Sequence, residues 1–464
     1  MDSPDASTDL LSREPGAPAV APPPRPASGG AAEALRPLVS RFLGRALPVR
    51  FEFWDGSVLE PTESSATAAV VRVHSVDAVR RILWAPGEIG LARAFVAGDI
   101  EIDGDIVTTL RALSTSARDL ARLGLRALPA AWSGARRMGA LRPPPPPPAE
   151  EIRPRGKRHS PGRDARAISH HYDVGNDFYA LVLGPSMTYS CARFTGPSTG
   201  LEDAQRDKHE LVCRKLGLHE KPGARLLDVG CGWGSMALHA AGRHGAHVVA
   251  VTLSRPQAES ARRRVADAGL EDRIEIRLQD YRQLGGERFD AVSSIGMFEH
   301  VGASQMARYF ETLHGLLVPT GRLLNHAISS AGGATIGGRT FMGRYVFPDG
   351  ELRDVGEVVL SMQRAGFEIR DVESLREHYA RTLRAWVANL EAHWETAVSL
   401  VGVARARVWR LYMAGSAVGF DDGGLGIHQV LGVVPAADGR SAMPPTRDGW
   451  TVGGEERSAG GGLP

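Results

Sequence analysis

A short apolar run, RLLDV at residues 225–229, breaks into Gly230-Cys231-Gly232-Trp233-Gly234 and is followed by a helix candidate over residues 235–243. A strand that turns on glycines into a helix is the opening unit of a sheet with crossover helices, and it commits the chain to parallel pairing. The later segments keep that rhythm. Residues 247–253 read as a second strand, 257–268 as a helix, and 273–278, 289–295 and 321–328 as three more strands with helices between them. Residues 367–375 and 427–434 read as late strands. The expected fold over residues 167–435 is therefore α/β, a doubly wound Rossmann-like sheet whose ligand crevice lies at the carboxyl ends of its strands.

The rest of the chain reads differently. Residues 1–35 are rich in Pro, Ala, Gly and Ser and are expected to be disordered, as is the Gly/Ser/Pro-rich tail 436–464. Residues 36–135 suggest a small α+β domain. LPVRFEF at 47–53 alternates as a strand does, 54–57 is a turn, and 67–75 is a further strand. The helix candidate 75–84 keeps Val76, Val79, Ile82 and Leu83 on one face. Six prolines, Pro143–Pro148, sit in a basic linker over 136–166 and are expected to form a stiff polyproline II spacer between two domains.

Hydrophobic residues make up 43% and charged ones 23%, ordinary globular usage that excludes wholesale disorder. The net charge of +2 hides an asymmetry: residues 111–166 hold thirteen Lys or Arg against four acids, a local +9, leaving −7 elsewhere. Such a segment suits an anionic surface and equally suits a solvated Arg-rich linker. No aromatic interleaving accompanies it, so nucleic acid is not an expected partner. No window approaches 18 consecutive apolar residues, and MDSPDASTDLLSREPG lacks the order of a secretory signal, so a soluble cytoplasmic protein is expected. Cys191, Cys213 and Cys231 form no CxxC pair, and His170-His171 point apart with no completing carboxylate. Neither a disulfide framework nor a metal site is expected.

The glycine turn is GxGxG. It lacks the GxGxxG of dinucleotide sites and the GK[ST] of a phosphate loop. Asp228 beside the helix start suits a ligand with an amino-acid moiety and a cationic centre. Thr252-Leu253-Ser254 with Gln257, then Asp280-Tyr281, fall at the ends of the next strands, where an acid followed by an aromatic would hydrogen-bond and cover an adenine. The combination points to S-adenosylmethionine; a tight βα connection is the plain alternative.

Together HYDVGNDFYALVLGPSMTYSCARF (171–194), LLDVGCGWG (226–234), VTLSRPQ (251–257), QDYRQL (279–284), FDAVSSIGMFEHVG (289–302) and YVFPDGEL (345–352) resemble, in order, the cyclopropane fatty acid synthase family, which includes the mycolic acid cyclopropane synthases. The likeness runs over about 165–435, and residues 40–135 are similar to the first domain of the longer bacterial members, which resembles a lipid-binding sterol-carrier fold. The resemblance implies a class I methyltransferase sheet and transfer of the S-adenosylmethionine methyl to a cis double bond of an unsaturated phospholipid acyl chain. The resulting carbocation closes to a cyclopropane after bound bicarbonate removes a proton. It implies a homodimer working at the inner face of the membrane. By resemblance the bicarbonate ligands are Cys191 (through its backbone), Glu299, His326, Ile328 and Tyr379. The cofactor contacts are Tyr189, Ser190, Asp228, Gly230, Gly232, Gly234, Thr252, Gln257, Asp280 and Tyr281.

Plainer roles stand beside these: Glu299 as a helix-capping acid, His326 as a satisfied strand histidine, Tyr379 as packing, and Cys191 as a small buried residue without thiolate chemistry. The chain departs from the family in two places. Ser416 stands where some members carry a cysteine, and His326-Ala327-Ile328 replaces the frequent HTI. Methylene or methyl branching from the same carbocation is the nearest alternative activity. A sphingolipid C-methyltransferase lacks its usual amino-terminal spans here, and a non-enzymatic lipid carrier would need none of the site residues.

Overall fold

The computed structural model describes residues 30–43, 47–62, 69–118, 136, 138–152, 174–335, 340–348 and 350–450. His170-His171, residues 137 and 153–166 of the basic linker and the ends of the chain lie outside the described residues.

In the first unit, β1 (Arg50–Phe53), β2 (Val58–Leu59), β3 (Val70–Val73) and β4 (Ile100–Asp103) form a sheet ordered β2-β1-β3-β4, with β1 and β3 parallel. Strands β1 and β3 alternate, with Phe51, Phe53, Val71 and Val73 buried, as a sheet covered on one face requires. The covering helices are α1 (Ala31–Leu43), α2 (Val76–Trp84), α3 (Glu88–Ala97) and α4 (Ile106–Arg118). The hydroxyl of Ser75 starts α2 by accepting the Asp77 N–H at 3.2 Å. Disorder expected through residue 35 is corrected at its end: Ala31, Ala32 and Leu35 lie buried in α1.

The second unit opens with α5 (Asn176–Leu183) and α6 (Leu201–Leu216). Strands β5 (Arg225–Val229), β6 (His247–Thr252), β7 (Ile274–Leu278), β8 (Phe289–Ile295) and β9 (Leu317–Ser329) then alternate with α7 (Ser235–His244), α8 (Arg255–Asp267) and α9 (Met306–Leu316). A small pair, β10 (Ala334–Thr335) and β11 (Glu351–Leu352), precedes α10 (Val355–Arg364), β12 (Glu368–Ser374), α11 (Arg376–Ala392), α12 (Trp394–Val401), α13 (Val403–Asp421) and β13 (Gly426–Val433). The main sheet runs β12-β13-β9-β8-β5-β6-β7, with β13 antiparallel to both neighbours. The chain winds outward from β5 to β7 and then returns to β8 on the other side of β5. The crevice of the sheet therefore opens where the carboxyl ends of β5 and β8 diverge.

The two units share one core. A continuous apolar cluster joins Phe51, Val71 and Phe95 to Phe178, Tyr179, Trp386, Trp409 and Ile427, and α13 packs on α3 and α4. The proline run is accordingly docked on both units, which corrects the expectation of a spacer that separates two domains. An extended proline backbone leaves its carbonyls open. Arg81 donates to Pro145 and Pro146 at 3.4 and 2.9 Å. Arg93 grips Glu151 through two hydrogen bonds of 2.6 and 2.7 Å, and the Ile152 N–H donates to Arg344 at 2.7 Å.

The expectation of a loose tail from residue 436 is likewise corrected as far as Trp450. Buried Lys215 pairs with Asp371 at 2.8 Å and Glu373 at 2.5 Å and lies over the Trp450 ring. Arg447 reaches the same Asp371, and Arg322 donates to the Ala442 carbonyl at 3.0 Å. Two buried charges that need partners pin the segment down. No described helix is long and apolar enough to cross a membrane.

Candidate active site

The glycine turn joins β5 to α7 at the crevice. Gly230 has φ 79°, and a Cβ there would stand 3.0 Å from the Met297 side chain, so only glycine lets the backbone pass. Its N–H and that of Cys231 both donate to the Val251 carbonyl at 3.0 Å, which ties the turn to β6. Gly232 and Gly234 also have positive φ. Beneath the turn Asp228 is buried: Oδ1 accepts from Ser293 at 2.7 Å, while Oδ2 has no partner. Burial pushes its carboxyl up to about 6, against the Ser293 bond and the charge of Lys208. A shielded carboxyl oxygen below a backbone cradle fits an amino-acid-bearing sulfonium ligand.

At the ends of the next strands, buried Thr252 donates to Gln257 Oε1 at 3.0 Å and accepts the Ser254 N–H at 3.1 Å. Asp280 caps the short turn 281–283, and Arg282 holds its carboxyl below the usual range. Tyr281 stands edge-on to Tyr309 at 5.6 Å. These positions form the far rim of the same crevice.

On the other side, Glu299 follows β8 in the turn Phe298–His300, and its Oε1 accepts the Ile328 N–H of β9 at 2.8 Å. It caps no following helix. Its Oε2 is shielded and has no partner, and burial pushes the carboxyl up to about 7. His326, two residues earlier on β9, is buried; its Nδ1 accepts from the Gln429 amide at 3.3 Å, which leaves the proton on Nε2. That Nε2 has no partner, and burial keeps the ring neutral. The simple picture of a satisfied strand histidine fails at this atom.

Residues 189–191 connect the halves. Tyr189 and Tyr412 meet hydroxyl to hydroxyl at 3.0 Å, and Tyr412 stands in the field of Glu299. Ser190 accepts from Lys208 Nζ at 3.0 Å. Burial pushes the Cys191 thiol up, in keeping with a residue that supplies backbone rather than thiolate. Tyr379 packs on Phe420 and Trp386, beside Tyr189. Its ring, 6.1 Å from Trp386, adjoins an aromatic wall of Trp233, Tyr179, Tyr189, Trp386 and Trp409 whose neighbouring centroids lie 4.6–6.0 Å apart.

Sequence reasoning missed Lys208, Tyr412, Trp386 and Trp409. Lys208 is buried on α6 beside Ser190, Cys191 and Asp228, and burial lowers it to about 7. A lysine on the stripe Ala204, Lys208, Leu211 was the available signal. Its ammonium also acts on His326, lowering that ring's tendency to take a proton.

The sheet order, the glycine turn and the ligand-facing strand ends define a class I S-adenosylmethionine-dependent methyltransferase. Residues 159–430 match the family model described as mycolic acid cyclopropane synthetase. The chain belongs to this family. It is 43% identical over 417 residues to a probable fatty acid methyltransferase of Mycobacterium tuberculosis, covering 86% of this chain and 93% of that one. It is 34% identical over 424 residues to a tuberculostearic acid methyltransferase of the same organism, covering 89% and 94%. Among solved structures it resembles a mycolic acid cyclopropane synthase complexed with SAH and CTAB, with 32% identity and a TM-score of 0.54 over 58% of this chain and 97% of that one.

Proposed function

We propose that this protein methylates a cis double bond within a phospholipid acyl chain and closes the product to a cyclopropane. The observation that carries this reading is the pair of shielded, unpartnered atoms, Glu299 Oε2 and His326 Nε2, on adjoining elements beside an aromatic wall. An alkene is a weak nucleophile, so its alignment with the methyl is a large part of the catalysis. Bound S-adenosylmethionine supplies an electrophilic methyl; Asp228, Gly230, Gly232, Gly234, Thr252, Gln257, Asp280, Tyr281, Tyr189 and Ser190 would hold it.

Positive charge develops on the acyl carbons. Ionised Glu299 stabilises it through a low-dielectric cavity, and the faces of Trp386 and Trp409 add cation–π attraction. The same site must take one proton from the transferred carbon. Bicarbonate, when bound, would supply that base, and the residues present suit it: Glu299 Oε2 and His326 Nε2 are unpartnered and would hold it, and Lys208 would balance its charge. The backbone of Cys191 and Ile328 and the hydroxyl of Tyr379 complete the set by resemblance.

A second reading is favoured by the relatives named fatty acid and tuberculostearic acid methyltransferases, which match the chain nearly end to end. There the same cation undergoes hydride migration and loses its proton to give a methylene or methyl branch. Incubation with S-adenosylmethionine and vesicles of cis-monounsaturated phospholipid, followed by mass spectrometry and hydrogenation of the acyl chains, separates the two. Gain of one CH₂ with no reducible alkene supports the cyclopropane; gain with an alkene retained supports the second reading.

A further inference from the structure

We infer that Glu210, Cys213, His239 and His244 form a zinc site that clamps α6 to α7. Helix α6 presents Glu210 and Cys213 one turn apart, and α7 presents His239 and, at its last residue, His244. Donor atoms of Cys213, His239 and His244 all lie within 4.8 Å of one another. The Nε2 atoms of both histidines stand 3.1 and 3.0 Å from the same Glu210 Oε2. Cys213 is fully buried, and the side chains of His239 and His244 are only 10% and 8% exposed, so the donors converge at the edge of the core rather than on open surface.

One sulfur, two imidazoles and one carboxylate match the donors that zinc takes in four-coordinate sites. Zn–N and Zn–O bonds of about 2.0–2.2 Å in a tetrahedron separate neighbouring donors by a little over 3 Å, close to the two distances seen. The other carboxyl oxygen is held at 2.6 Å by Arg214 Nε, which fixes the direction of Oε2 as outer partners of metal ligands do. On binding, the Cys213 S–H bond gives way to a sulfur–zinc bond and its proton leaves to solvent; the histidines bind as neutral rings. The two negative ligands then balance the dication. Spacing along the chain hides such a site because its donors come two from each of two helices.

The consequence is positional. Helix α6 carries Lys208 and α7 starts at the glycine turn, so a clamp between them fixes the distance between Lys208 and the cofactor crevice. The test uses the full chain, stripped with a chelator and dialysed, then titrated with Zn²⁺ alone and separately with Co²⁺. The expected result is one Zn²⁺ per chain with a raised thermal midpoint, and a Co²⁺ spectrum with a thiolate charge-transfer band that Cys213→Ser removes. His239→Ala combined with His244→Ala should lower zinc affinity at least a hundredfold. Should that variant fail to fold, the wild-type Co²⁺ spectrum decides. Absence of stoichiometric zinc, or cobalt bound without the thiolate band, overturns the assignment.

Discussion

The backbone N–H of Ile328 donates to Glu299 Oε1 at 2.8 Å, so the acid that follows β8 is aimed by the neighbouring strand rather than by its own turn. The second carboxyl oxygen is shielded and without a partner. Glu299→Gln keeps the shape and removes the charge. Product formation should fall by about 10²–10³, the scale of losing one preorganised electrostatic group. Binding of S-adenosylhomocysteine, followed by calorimetry, should change less than about twofold. Loss of cofactor binding would assign Glu299 to a different role.

A pH profile tests the same group. Burial raises the Glu299 carboxyl to about 7, so it is neutral below that pH and ionised above it. Activity should therefore climb through an acidic limb near pH 7. The residual activity of Glu299→Gln should lack that limb.

Lys208 gives the opposite sign. Its pKa falls from an ordinary 10.5 to about 7, chiefly through burial, with Cys191 and Asp228 opposing. The folded state resists the charge, so the stability associated with the neutral amine is present above the unfolded pKa and is lost as pH drops from about 10.5 toward 7. Lys208→Met has no such loss. The difference in urea midpoint between variant and wild type should move in favour of the variant between pH 10 and pH 7. Cofactor affinity should weaken through the lost Ser190 contact.

Gly230→Ala places a Cβ 3.0 Å from Met297 on a residue with φ 79°. The left-handed backbone alone costs about 1–2 kcal/mol. Thermal denaturation should show a lowered midpoint, and binding of S-adenosylhomocysteine should fall more than tenfold because the turn must shift.

Arg93 and Glu151 join the proline segment to the first unit, and the Glu151 side chain is 2% exposed. Arg93→Ala removes the cation from a buried carboxylate that keeps only weaker contacts such as Tyr345 at 3.4 Å, a loss of about 3 kcal/mol for a broken buried pair. A shift in the chemical-denaturation midpoint much smaller than that would show that the segment is not held by this contact.

The sheet and half of the candidate site were legible because their signals are local. Gly230 sits in its turn within a few residues of the strand that needs it, and MFEHVG puts Glu299 just past β8. The aromatic wall was not legible. Trp386 and Trp409 come from helices far along the chain, and on their own segments they read as ordinary core. Tyr412 is identified by its contact with the hydroxyl of Tyr189, which lies 223 residues away. The docking of Trp450 was hidden for a related reason. Its segment is loose by composition and is fixed by Lys215 and Asp371, whose need for partners arises only once they are buried.

The central claim is that a methyl is added to an alkene and that the same carbon then gives up one proton beside Glu299. Wild-type protein incubated with S-adenosylmethionine carrying a CD₃ group and cis-monounsaturated phospholipid vesicles tests it directly. The account predicts an acyl cyclopropane that retains two of the three deuterons, formed about 10²–10³ more slowly by Glu299→Gln. Retention of all three deuterons, or label found on the headgroup and not on the chain, would contradict it.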